Sequence, residues 1–89
     1  MPVLSMFYGI VIYMYAYDNR RHHRPHFHAE YGEFTAAIAI DDGAILEGDL
    51  PKPKMKLVQA WLEIHREDLE ADWKLAVQGL QPQRIKPLE

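Results

Sequence analysis

The sequence predicts an α+β domain: a four- to five-stranded, mainly antiparallel sheet followed by a C-terminal helical segment. Three observations carry that expectation. Short runs of β-branched and aromatic residues, broken at Gly9, Gly32 and Gly43, fill the first half. From Lys52 the apolar spacing changes from two to three and four, and holds that period to about Gln78. All the strands precede the helix rather than alternating with it, which is the α+β order. At 89 residues the chain is read as one domain, with the sheet over 3–47, the helical segment over 52–78 and an extended tail over 79–89.

The first strand is read as 3–8, ended by Gly9. The second, 10–17, alternates cleanly. Ile10, Ile12, Met14 and Ala16 face one way and suit a core, while Val11, Tyr13, Tyr15 and Tyr17 form a flatter, half-wet face. Residues 18–25 form a polar loop that Pro25 stiffens at its end. Strand 26–31 follows, and 34–41 returns from a turn at Tyr31-Gly32. That corner sets Glu30 opposite Glu33, a repulsive pair without a nearby cation, and His28 opposite Thr35. It gathers Phe27, Ala29, Phe34, Ala36, Ile38 and Ile40 on the core side. A last short strand spans 44–47. An unbroken helix over 52–78 would be about 39 Å long, so a bend near His65-Arg66 is expected, giving one bent helix or two. Gly79 suits the left-handed position that ends a helix, with Leu80 reaching Leu75. Ile85 and Leu88 are expected to pin the tail.

Composition narrows the chemistry. There is no cysteine, hence no disulfide, thiolate zinc site or cysteine nucleophile, which fits a cytoplasmic setting. The first residues lack the basic start of a secretory signal, and the longest apolar run, 7–16, is too short to span a bilayer. A net charge of −3 gives no general attraction for nucleic acid.

Four of the five histidines, His22, His23, His26 and His28, fall within seven residues, beside Arg20, Arg21 and Arg24. On a strand, His26 and His28 share one face and oppose small residues, forming a shallow polar groove. Two chemistries suit it. In acid–base catalysis on RNA, His26 and His28 would move protons, Arg24 would offset phosphate charge and Glu33 would orient an imidazole. In a metal site, His26, His28 and Glu30 would hold zinc or nickel as a divalent cofactor. A third reading needs no catalysis: a tyrosine-faced sheet that one helix cannot cover on both sides would bind a protein partner or a second copy.

The segments Phe7 to Ile12, Pro25 to Phe34, Gly48 to Pro51 and His65 to Leu69 with Trp73 together resemble the domain of unknown function 4160 family, over nearly the whole chain. The resemblance marks His26, His28, Tyr31, Gly32, Glu33, His65 and Arg66 as motif positions. Arg24 stands where relatives often carry a second proline. It implies a small bacterial protein, encoded beside another short protein in an arrangement like a toxin–antitoxin pair. The expected role is the toxin-like member of that pair, acting on RNA, or a partner- or metal-binding module.

Overall fold

The computed structural model describes residues 2–16 and 24–89. Arg20, Arg21, His22 and His23, along with Tyr17 and Asp18, lie outside the described residues. Five strands, β1 (Val3–Phe7), β2 (Ile10–Tyr13), β3 (His26–Tyr31), β4 (Phe34–Ala39) and β5 (Ile45–Gly48), precede one helix, α1 (Lys52–Val77). The strands lie side by side in sequence order, each antiparallel to the next. The α+β architecture expected from the pattern is therefore present, with five strands.

Two tight corners set the registers. Tyr8 and Gly9 join β1 to β2 with φ of 50° and 78°, the pair of positive angles a type I′ hairpin uses. Between β3 and β4 the corner is Gly32-Glu33, not Tyr31-Gly32, because Tyr31 stands opposite Phe34. Gly32, at φ 58°, leads the loop, where a II′ turn asks for glycine. The change is two residues, one full pleat, so every side chain keeps its expected face. Glu30 now faces Thr35, His28 faces Ala37 and His26 faces Ala39, and the repulsive Glu30–Glu33 pairing does not form.

One face of the sheet carries the core. Phe7, Ile10, Ile12, Met14, Phe27, Ala29, Ala36 and Ile38 meet Met55, Val58, Trp61, Leu62 and Leu69 of the helix. Phe34, expected in this set, sits half exposed at the hairpin end. Trp61 is the anchor. Its ring lies 5.5 Å from Phe7 and 5.8 Å, edge on, from Phe27, and it is fully buried.

The helix starts after Pro51, with Pro53 in its first turn, where the missing N–H costs no hydrogen bond. It bends at His65, whose φ of −114° and ψ of 21° leave the helical range. The next residue explains where the bend is held. Arg66 donates from Nε to the Ile40 carbonyl at 3.0 Å and forks onto the Glu63 carboxylate at 2.7 and 3.1 Å. At the far end, Leu80 N–H reaches the Leu75 carbonyl and Gly79 N–H the Ala76 carbonyl, a Schellman ending. The tail then returns across the molecule. Gln83 N–H donates to Asp72 Oδ1, Ile85 N–H to the Leu4 carbonyl, and Trp61 Nε1–H to the Lys86 carbonyl, each at 2.8 Å. Ile85 is buried and Leu88 packs on the core, so the tail also covers the outer edge of β1.

Asp72 is a cost within this clasp. It is buried, and its Oδ2 has no hydrogen-bond partner among the described residues. Burial raises its pKa, against the pull of the Gln83 N–H. A carboxyl group whose folded-state pKa is raised favours folding while protonated and disfavours it as pH rises through that pKa. Asp72→Asn should therefore melt higher than the parent at neutral pH, and the gap should close on acidification through the carboxylate range. Calorimetry at several pH values measures this; a variant less stable at every pH would contradict it.

Candidate functional site

The face turned away from the helix core is where the sequence placed its site. Registers align Tyr13 with His28, His28 with Ala37, and Ala37 with Glu47, one row across β2 to β5. Ala37 is the small residue in the middle, so the row dips between the aromatic group and the carboxylate. The hollow has a volume of about 190 Å³ and is bounded by Tyr13, Tyr15, His28, Thr35, Glu47 and Gly48. Its aromatic wall is a stack of near-parallel rings. Tyr15 lies 4.5 Å from His28 at 6°, Tyr13 lies 5.2 Å from it at 11°, and the two tyrosines are 6.1 Å apart at 17°. Partial burial, and after it the nearby Glu30 carboxylate, raise the pKa of the Tyr13 phenol.

His26 has a different place. It is fully buried, with the Trp73 ring 5.0 Å away and the edge of His28 at 5.1 Å. Its Nδ1 sits 2.9 Å from the Arg24 carbonyl, which can only accept, so Nδ1 carries the proton. One residue on, Ile40 N–H donates to the Pro25 carbonyl at 3.0 Å. His26 thus ties down the entry into β3. The expected open groove with two imidazoles is filled at both: Trp73, beyond the bend in α1, lies against His26, and His28, also buried, is stacked with Tyr13 and Tyr15.

The other expected partners are dispersed. Arg24 pairs with Asp41 and, at 2.8 Å, with Asp42 at the β4–β5 turn, and the hydrogen bond to Asp41 is the chief reason its pKa is raised. Glu33 is in the opposite corner, a strand length of roughly 20 Å from Arg24. Arg24, His26, His28 and Glu33 do not form one constellation. Among the described residues no group of three His, Cys, Asp or Glu is arranged to hold a metal ion. His65 packs on Trp61 at 5.6 Å with Nδ1 3.4 Å from Asp68, as a partly buried helix histidine should.

Sequence reasoning missed Glu47 and Trp73 as neighbours of the histidines. The first needed the β4–β5 register, which a bulge between Ala37 and Ile38 offsets. The second needed the path of a bent helix. A further hollow, about 530 Å³ between α1 and the tail, mixes Asp68 and Asp72 with Lys74, Arg84 and Lys86, and the tail clasp already accounts for it.

Both histidines are buried, so His26→Ala and His28→Ala should each lower stability by about 2–4 kcal/mol, the range for emptying a buried large side chain. Urea unfolding of both variants measures it; no loss at either position would contradict the packing described.

A five-stranded antiparallel sheet with one helix on its core face, and an aromatic cleft on the other, defines a small α+β protein. The chain belongs to the family described as a domain of unknown function, DUF4160, which matches residues 9–74. That span holds the whole row from Tyr13 to Glu47, as well as His26 and Trp73. No curated protein and no solved structure matches the chain. No described helix is long and apolar enough to cross a membrane.

Proposed function

We propose that the protein is a partner-binding module and that the face bearing Tyr13, Tyr15, His28, Thr35 and Glu47 is its docking surface. The observation that carries this reading is the row across four strands, which among the described residues borders a concave, polar and aromatic cleft. Half-buried tyrosines on a rigid sheet suit protein contact, because they bury much area at little cost in side-chain entropy. The partner is taken to be the short protein encoded beside it, in a pair of the toxin–antitoxin type within a bacterial cytoplasm.

Cleavage of RNA is the competing role for the same face. It calls for two accessible imidazoles, whereas His26 and His28 are both buried. That burial supports docking over proton transfer by this pair.

Co-expression with the neighbouring gene product, followed by light scattering on the purified proteins, tests the proposal. A stable complex is expected, and Thr35→Arg, at an exposed position on the cleft wall, should abolish it without lowering the melting temperature. No complex, or one that Thr35→Arg leaves intact, would contradict the proposal. RNA cleavage that His28→Ala removes would transfer the face to the competing role.

A further inference from the structure

We infer that the hollow between the second half of α1 and the tail binds a small amphipathic anion, an apolar body carrying one carboxylate head. None of the residues of the docking face takes part. The tail clasp explains how this hollow forms, and what it leaves on the walls selects the ligand. The first feature is charge. Arg24 and Arg66 are held in ion pairs, and Lys54 donates to the Tyr8 carbonyl. Lys74 on the helix, with Arg84 and Lys86 on the tail, hold no hydrogen bond or ion pair among the described residues, and all three line the hollow. Two carboxylates also line it. Asp68 Oδ2 is 3.4 Å from His65 Nδ1, and Asp72 is buried, its Oδ1 taking the Gln83 N–H. Three cations against two carboxylates leave an excess of one, in a chain whose net charge is −3. That excess suits a single negative charge, and cations on both walls can grip one head group.

The second feature is apolar surface. Ala71 and Leu75, one helical turn apart, form a strip on one wall, and Ile85 of the tail adds to it from the other. The hollow holds about 530 Å³, within the range of small-ligand sites, which pair apolar lining with a few polar groups. Cations beside an apolar strip match a molecule whose two ends differ in the same way. For the head, a carboxylate receives two parallel N–H groups from a guanidinium such as Arg84 and carries only one charge. A doubly charged phosphate would exceed the available excess and face Asp68 and Asp72 uncompensated.

Octanoate, octanamide and acetate are the probes, titrated at one ionic strength into isotope-labelled protein and followed by NMR. Octanoate should give saturable shifts at Ala71, Leu75, Arg84 and Ile85, and at the Trp61 indole N–H that donates to the Lys86 carbonyl. Its affinity should be about tenfold or more above that of octanamide, which lacks the charge, and of acetate, which lacks the body. Lys74→Gln combined with Arg84→Gln, both at exposed positions, should weaken octanoate about tenfold and leave the melting temperature unchanged. Lys52→Gln, at the other end of the helix, should change nothing. No saturable binding, equal affinity for octanoate and either control, or no effect of the double replacement would overturn the inference. Tighter binding of an acetylated peptide with a free C-terminal leucine would also overturn it, since the hollow would then be a seat for a chain end.

Discussion

Replacing Trp61 with alanine should remove about 3–5 kcal/mol of stability, the range measured for emptying a buried aromatic site. A chain of 89 residues has roughly 4–13 kcal/mol in total, so the variant should be largely unfolded on warming to physiological temperature. The size of the effect follows from what the side chain joins. Its ring touches Phe7 of β1 and Phe27 of β3, and its Nε1–H holds the tail through the Lys86 carbonyl. Sheet, helix and tail all lose a shared contact at once. Trp61→Phe keeps most of the ring and gives up the hydrogen bond, and should cost about 1–2 kcal/mol. Denaturant unfolding of the two variants measures both terms; similar losses for Ala and Phe would show that the tail contact, not the core, dominates.

Gly48→Ala should be nearly as damaging, by about 3 kcal/mol or more, for backbone rather than packing reasons. Gly48 has φ of 72°, and a Cβ placed there would sit 2.0 Å from the Thr35 carbonyl oxygen. That oxygen accepts the Asp49 N–H at 3.0 Å, so it cannot step aside without breaking the link between β4 and the chain leaving β5. Both Thr35 and Gly48 line the cleft, and the variant should lose partner binding along with stability. Gly32→Ala is the matched control. It has a positive φ too, but no atom within 4 Å of its added Cβ, so it should cost only the roughly 1–2 kcal/mol of a left-handed alanine. Equal losses at the two glycines would remove the steric argument.

Much of this architecture was legible in the sequence because the periods were clean. Ile10 and Ile12 against Val11 and Tyr13 gave the face of β2, and the change of spacing at Lys52 gave the helix. The bend was legible because the expected length was too great for so small a body, and Gly79 marked the end. The β3–β4 corner was not settled by pattern, since Gly32 serves a two-residue turn from either position. The resulting error of one pleat preserved every face and removed only the Glu30–Glu33 pairing. The site was half legible. Alternation put His26 and His28 on one face, but burial depends on what crosses that face. Only the path of α1 after His65 brings Trp73 onto His26, and no local signal encodes that.

Charge at the rim behaves as its partners require. Asp42 accepts the Ala44 N–H and the Arg24 guanidinium, and both hold its pKa below the usual carboxylate value, the backbone contact most strongly. Its stabilising contribution is present above the unfolded-state pKa and fades as pH falls through the folded one, the reverse of Asp72. Acid should therefore loosen the β4–β5 turn while relieving the clasp at the tail.

The most direct measurement is the map of amide and aromatic NMR shifts when the neighbouring gene product is titrated into the labelled protein. Perturbation concentrated at Tyr13, Tyr15, His28, Thr35 and Glu47 is the predicted result. Shifts confined to the helix over 52–77 or the tail over 79–89, with those five residues unmoved, would contradict the account.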